Sequence, residues 1–384
     1  MTRFGRLFHT STTTASAAAA SVPTLLPSAG HRLARPSTGP AAVAAAITSG
    51  SHVFIHGTSA FPQHLVDCMV GLVDDQQQRG AATLRNVELC HIHVEGNTSY
   101  SLPQYAHAFH TTNFFVGANQ RAAVAQGTSD AVPIFLSEIA QLFRPQQHNV
   151  PPRFPVDVAL VSVSPPDKHG YCSLGTSVDI AVEAVQHAQV VIAQVNAHMP
   201  RTHGSGLIHT SNIDYLVRHD APLPVTNSGA PHGVDTVVQR IGANVASLIE
   251  DGSTLQMGIG NIPDAVLASL TGHKNLGIHT EMFANGVVDL VRRGVVTNSL
   301  KKVAPGHIVA SFLCGNKELY DFVDDNPLIR MAPASFVNDP AIIKQNPRVV
   351  AINSAVEIDL TGQVCADSAG TRVISGVGGQ MVPE

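Results

Sequence analysis

One glutamate sits where an α/β sheet would present a reactive carboxylate. Glu281 follows the apolar segment Leu276–Thr280 in His279-Thr280-Glu281-Met282 and precedes a helical stretch. The segment reads as a strand, which puts the side chain at a carboxyl strand end, where open α/β sheets hold their ligands. A carboxylate there can attack an activated acyl carbon and hold the acyl group as an anhydride. A glutamate at a helix start can equally be a cap or a solvated charge. Two glycine-rich turns accompany it. In Gln256-Met257-Gly258-Ile259-Gly260-Asn261, between a strand and a helix, glycines let backbone N–H groups approach a ligand, and the helix start favours negative charge. The turn resembles GxGxxG only superficially, because Pro263 takes the last glycine place. A purely structural turn is the alternative. Ser375-Gly376-Val377-Gly378-Gly379-Gln380 can present consecutive N–H groups to a developing oxyanion, or be a flexible turn.

Other constellations carry less chemistry. Twenty histidines invite a metal reading, yet there is no HExxH. His91 and His93 would share one strand face, but two ligands do not make a zinc site, so no metal is expected. His198 and His203 flank Met199–Thr202 and are expected to order a domain interface. Arg201 between them suits a carboxylate, a phosphate or an internal salt bridge. A serine hydrolase needs GxSxG, and this sequence has none. Cys68, Cys90, Cys172, Cys314 and Cys365 are widely spaced without a CxxC, as expected of reduced, mostly buried thiols.

The elements that must position these groups are legible in outline. Ala41–Ser49 reads as a helix, Ser51–Ile55 as a strand, and Pro62–Val73 as a helix with Leu65, Val66, Met69, Val70 and Val73 in one stripe. Val87–Val94, Val156–Val163 and Val190–Val195 read as strands, and Ser177–Ala188 as a helix between the last two. Continuous Val-rich runs are typical of parallel strands covered on both faces. The predicted class is therefore α/β. Residues 220–235 are rich in Pro, Gly and Asn and read as a linker. The pattern then restarts. Thr236–Glu250 reads as a helix with Val237, Val238, Ile241, Val245 and Leu248 on one side. Strands follow at Thr254–Met257 and Leu276–Thr280, with helices at Ile262–Leu270 and Gly286–Arg293. Further strands are expected at Ile308–Leu313, Val349–Ile352 and Arg372–Ile374. Two open α/β domains result, 41–219 and 236–384.

Composition narrows the function classes. Only 13% of the 384 residues are charged and 44% are hydrophobic, so disorder is excluded and the core must be large. The net charge of −5 before histidines argues against a general nucleic-acid binder. No run of about 18 apolar residues suggests a transmembrane helix. Before Asp67 there is no acidic residue, while Arg3, Arg6, Arg32 and Arg35 stand among clustered Ser, Thr and Ala. Residues 1–40 therefore read as a mitochondrial transit peptide, with the matrix as the expected location, or as a low-complexity tail.

The ordered motifs resemble the acetyl-CoA hydrolase/transferase family. They run from Val163-Ser164-Pro165-Pro166-Asp167 and His169-Gly170-Tyr171-Cys172-Ser173-Leu174-Gly175 through Met199-Pro200-Arg201-Thr202-His203-Gly204. Gly258-Ile259-Gly260, Gly277-Ile278-His279-Thr280-Glu281-Met282, Val337-Asn338-Asp339-Pro340 and the Ser375–Gln380 segment continue them. The resemblance implies two related CoA-transferase-like domains with the active site between them. It implies transfer of CoA between a short-chain acyl-CoA and a small carboxylic acid such as acetate, with CoA as substrate and no permanently bound cofactor. Glu281 falls on the family's nucleophile, Gln256, Met257, Gly258, Ile259 and Gly260 on its CoA-contacting loop, and Gly378 and Gly379 on its oxyanion and CoA contacts. Asn338 falls on the asparagine beside the nucleophile, and Asn353 and Ser375 on further CoA contacts. His56 and Gly57 are assigned to the acyl pocket. A homodimer is implied. The family's usual acidic residue beyond the nucleophile is replaced by Asn285. Relatives continue past the Ser375–Gln380 segment, so the second domain is expected to be shorter than theirs. An acetyl-CoA hydrolase using the same glutamate, and a non-catalytic CoA-binding or assembly subunit, are the competing expectations.

Overall fold

The computed structural model describes residues 32, 34–145, 150–226, 236–258 and 260–378. Two parallel sheets organise them. The first has eight strands in the order Arg35–Pro36, Tyr215–Arg218, Val190–Val195, Val158–Val163, His52–Ile55, Val87–His91, Phe109–Asn113 and Ser129–Ala131. Every neighbouring pair is parallel. The second has five parallel strands in the order Ile329–Met331, Ile308–Leu313, Gly277–Phe283, Thr254–Met257 and Val349–Ile352.

Side-chain alternation gives the first sheet two buried faces. Val53 and Ile55 enter one core with Leu65, Val66, Met69 and Val73 of helix Gln63–Gln78, the stripe expected from the sequence. Phe54, between them, enters a second core with Ala181, Val182 and Val185. That second core continues without a break into Leu255, Ile278, Phe283 and Ile308 of the other sheet, so the two domains share one hydrophobic interior.

Several expected boundaries move, each for a physical reason. Within the segment assigned to residues 1–40, Arg32 and residues 34–40 are part of the fold. Arg32 donates to Asp214 at 2.5 Å and to the Ala188 carbonyl at 2.5 Å. Arg35–Pro36 adds a strand to Tyr215–Leu216, and the first helix already begins at Gly39, capped by Thr38. Residues 1–31 lie outside the described residues, as does most of the predicted linker, 227–235.

The helix expected from Ser177 starts only at Ala181. Residues 176–179 instead strap onto the second domain. Val178 and Asp179 N–H both donate to the Ser311 carbonyl at 2.9 and 3.2 Å, and Thr176 O accepts from Leu313 N–H at 2.9 Å. Backbone groups spent across the interface cannot also make helical i→i−4 bonds. Helix Thr236–Ala246 turns the other way from expectation. Gly242 and Ala246 are buried, while Val237, Ile241 and Leu248 are 60%, 36% and 80% exposed. A Cβ at Gly242 would lie 2.7 Å from the Ala265 backbone, so helix Asn261–Ser269 packs on the small-residue side. The strand at Arg372–Val373 pairs with Ser368–Ala369 in a small antiparallel hairpin and joins neither large sheet.

The loop holding Arg201 and His203 does tie the domains together. Arg201 N–H donates to Asp324 at 2.8 Å and its guanidinium to Asp167 at 2.7 Å, and His203 meets Asp325 at 3.0 Å. Gly204 has φ +111°, and a Cβ there would lie 2.2 Å from the Met331 carbonyl oxygen. Glycine alone fits this crossing. His198 is exposed, and its backbone N–H donates to Asn196.

Candidate active site

The strand carrying Glu281 runs past its expected end. Met282 and Phe283 pair with Phe312 and Leu313, so the strand is Gly277–Phe283 and Glu281 lies near its carboxyl end rather than at a helix start. Helix Gly286–Arg292 begins only after Asn285. Asn285 exchanges hydrogen bonds with Asn316, accepting its N–H at 3.0 Å, so the amide holds the turn.

Asn338 Nδ2 donates to Glu281 Oε2 at 2.5 Å. Asn338 is buried directly after the short helix Ala334–Val337, and its N–H bonds back to Ala334 O at 2.9 Å. His279, on the same strand face as Glu281, places its Nε2 2.9 Å from Val337 O. A carbonyl only accepts, so this nitrogen carries the proton. Burial depresses His279 to about 4 and keeps it neutral. His279 thereby fixes the residue next to the Glu281 partner.

Burial raises the Glu281 carboxyl to about 7; the Asn338 hydrogen bond pulls it down and the negative charge of Asp179 pushes it up. At neutral pH a large share is ionised. That carboxylate is more basic than an ordinary one, and hence a better nucleophile.

Chain order reverses in the second sheet between Thr254–Met257 and Val349–Ile352, the place where ligands enter such sheets. Gln256 and Asn353 pair their amides there, at 3.0 and 3.3 Å. Gly258 N–H donates to Ile352 O at 2.9 Å. Gly260 has φ +113°, a left-handed value that admits the sharp entry into helix Asn261–Ser269. Thr280 Oγ locks this turn to the Glu281 strand through Met257 N–H and O, both at 3.0 Å.

The third predicted segment reaches the same place from the chain's far end. Val116 N–H donates to Ser375 O at 3.1 Å and Arg121 Nε to Ile374 O at 2.7 Å. Gly376 rests on Phe115, where a Cβ would meet the backbone at 3.1 Å. The N–H groups of Gly376, Val377 and Gly378 have no partner among the described residues.

These elements enclose a cavity of about 260 Å³ between the domains. Gln256, Met257, Gly258, Glu281, Asn353, Ser375 and Gly378, all singled out in the sequence, line it. Gly260 and Asn338 do not line it, Asn338 reaching the site through its bond to Glu281, while Ile259 and Gly379 lie outside the described residues. His56 and Gly57 do not line the cavity. The His56 ring is fully buried, with Nε2 2.6 Å from Ser177 O and Nδ1 accepting from Ser162 N–H at 3.2 Å. Gly57 is packed against Ile92.

The first domain contributes His93, Phe115, Arg121 and Leu136 instead. The strand ends at His91, so His91 and His93 do not share a face. His91 bonds Tyr100 at 2.8 Å, whereas His93 faces the cavity between Phe115 and Phe312. Burial lowers His93 to about 4, which leaves it neutral. Three groups at the site were not found by sequence reasoning as functional. His93 was weighed only as a metal ligand beside His91 on an alternating strand. Arg121 sits in a stretch with no motif. Asp179 was hidden inside a predicted helix. Among the described residues no cluster of His, Cys, Asp and Glu is arranged to hold a metal ion. No helix among them is long and apolar enough to cross a membrane.

Comparison with known proteins places the chain in the acetyl-CoA hydrolase/transferase family. Residues 37–227 match the acetyl-CoA hydrolase/transferase N-terminal domain, and 315–382 the C-terminal domain. The chain is 46% identical to a succinyl-CoA:acetate/propanoyl-CoA:succinate CoA transferase of Fasciola hepatica over 87% of this chain and 67% of that one. It is 47% identical to a 4-hydroxybutyrate coenzyme A transferase of Clostridium kluyveri over 77% of this chain and 67% of that one. The chain thus spans about two thirds of the length of these relatives. Among solved structures, a 4-hydroxybutyrate CoA-transferase of Porphyromonas gingivalis superposes with a TM-score of 0.72 at 36% identity, over 86% of this chain and 75% of that chain.

Proposed function

Because the chain belongs to the acetyl-CoA hydrolase/transferase family and is an enzyme of its CoA-transferase type, we propose that it moves CoA from a short-chain acyl-CoA to a small carboxylic acid by way of a thioester on Glu281. The observation that carries this reading is geometric: the half-buried Glu281 carboxylate, held by Asn338, lines a cavity edged by Gly376 and Gly378, whose amides have no partner among the described residues.

The chemistry follows from the groups present. A Glu281 oxygen attacks the thioester carbon, the C–S bond breaks, and CoA leaves as thiolate from an acyl-glutamyl anhydride. The thiolate attacks the glutamyl carbonyl, the C–O bond to the acyl group breaks, and the first acid departs as carboxylate. Glu281 now carries CoA as a thioester. A second carboxylate reverses both steps. Each intermediate remains an activated acyl derivative, so no ATP is consumed. In this reading the amides of the Gly376–Gly378 segment, which borders the same cavity, receive the negative oxygen of each tetrahedral intermediate. Arg121 gives the cavity a cation for substrates that are all anionic.

Transfer is favoured over hydrolysis by the relatives: those 46–47% identical are named transferases, and acetyl-CoA hydrolases match at 24%. The test is an assay of succinyl-CoA consumption with and without acetate. Acetyl-CoA is expected to form in step with succinyl-CoA loss. Equal loss without an acceptor acid would make the protein a hydrolase.

We further propose that the arginine-bearing residues at the start of the chain direct the protein to mitochondria. Their arginines and hydroxyl residues without any acid support this reading. A fluorescent protein fused behind residues 1–45 is expected in the matrix; a cytosolic fusion would refute it.

A further inference from the structure

Asp179 is a fully buried carboxylate that the mechanism above leaves unused. No arginine or lysine pairs with it among the described residues. Ser177 Oγ donates to its Oδ2 and Ile180 N–H to its Oδ1. A buried anion without a cation is costly, and such groups cluster at functional sites.

Its position is tied to Glu281 twice. Asp179 N–H donates to Ser311 O at 3.2 Å. Ser311 lies on the neighbouring strand beside Glu281, between the paired positions Thr280–Ala310 and Met282–Phe312. Asp179 O accepts from Ala334 N–H at 2.9 Å, at the start of the short helix Ala334–Val337 that is followed directly by Asn338, the partner of Glu281. The strap from the first domain therefore fixes both flanks of the nucleophile, and it bears the buried Asp179 carboxylate.

The other polar groups near Glu281 differ in kind. Asn338 is a neutral donor. His279 and His93 are neutral imidazoles. Lys301 lies behind the strand, donating to Ile278 O and His307 O at 2.7 Å each. Arg121 lines the open cavity. Asp179 is the anion among them, and burial raises its own carboxyl to about 6.

We propose that Asp179 is a positioning residue whose buried negative charge repels the Glu281 carboxylate and thereby favours the covalent states in which Glu281 is neutral. The proposal rests on the covalent reading of Glu281. When Glu281 is free and ionised, two like charges share a poorly solvated interior. When it becomes the CoA thioester, its charge leaves with the released acid, and the repulsion ends. Atoms and charge balance without a further reactant: one thioester is exchanged for another, and one carboxylate for another.

The test is Asp179→Asn, which keeps size and hydrogen-bonding reach. Two readouts apply. The acid limb of kcat/KM is expected to move to lower pH by about one unit. The equilibrium ratio of glutamyl-CoA to free enzyme, read by intact mass at fixed acyl-CoA and acid, is expected to fall about tenfold. A purely structural role would lower activity without moving the limb. Should the variant fail to fold, Ser177→Ala removes the hydroxyl that stabilises the Asp179 charge. It should move the limb in the same direction, by less. A limb that stays in place or rises, with an unchanged adduct ratio, would overturn the role of Asp179. Absence of any adduct on the wild type would overturn the covalent reading beneath it.

Discussion

Glu281→Gln is expected to lower the rate of CoA transfer by at least about 10⁴-fold, the scale of removing a covalent nucleophile. The change is nearly isosteric and leaves Asn338 a partner, so the loss reports chemistry rather than collapse. The same substitution should stabilise the fold above neutral pH, and the sign follows from burial. The carboxyl titrates at about 7 in the folded chain against 4.5 for the ordinary group. The folded state therefore binds the proton more tightly. The stability this contributes is complete below pH 4.5 and is lost as pH rises through 7. Glutamine carries no such charge. Thermal melts should place the variant level with the wild type at pH 4.5 and above it at pH 8, by about 2 kcal/mol. That figure is below the full linkage value because the carboxylate borders a cavity water can enter. A variant that is inactive and also unstable at pH 8 would point to a structural role for Glu281.

Asn338→Ala is expected to cost about 10²-fold in kcat/KM, the worth of a charge-assisted hydrogen bond at a reacting carboxylate. Its pH signature is opposite to that of Asp179→Asn. The Asn338 amide holds the Glu281 carboxyl down and Asp179 pushes it up. Losing the amide should shift the acid limb to higher pH, and losing the neighbouring charge to lower pH. General loosening of the site would not produce two shifts of opposite sign. Initial rates between pH 5.5 and 9 for both variants test this directly. An unmoved limb in Asn338→Ala would mean that the 2.5 Å contact does not persist in solution.

Much of this arrangement was legible in the residue order because parallel strands announce themselves. Val158–Val163 is buried at every position, and a run of Val, Ala and Leu with no polar alternation has few other uses. The glycine turns were legible for a related reason. Gly260 takes a backbone conformation other residues rarely adopt, and Gly376 sits where a Cβ would crowd the backbone of Phe115.

What escaped was decided across the domain interface. The strap at residues 176–179 has helical periodicity, yet its amides and carbonyls bond to Ser311 and Leu313 some 130 residues away. Local sequence carries no trace of those partners. The strand that ends at His91 instead of Val94, and so sends His93 into the cavity, is settled by its neighbour. The ladder with Phe109–Asn113 ends at His91 opposite Asn113, and beyond it only an isolated bridge joins Val94 to Thr58. His56 failed as a pocket residue for the same reason. Strand ends point toward a crevice, but the crossing of the strap above His56 covers it, with Ser177 O on its ring. Apolar residues on helix Thr236–Ala246 misled because size was read as burial; the packed side is the one with Gly242 and Ala246, where backbones approach.

The most direct measurement is intact-mass spectrometry of the protein after brief incubation with acyl-CoA and no acceptor acid. The wild type should gain the mass of one CoA less one water, localised by fragmentation to the peptide containing Glu281, and acetate should discharge it. Glu281→Ala should show no gain. A CoA adduct that persists in Glu281→Ala, or resides on another peptide, would contradict the assignment of Glu281 as the group that carries CoA.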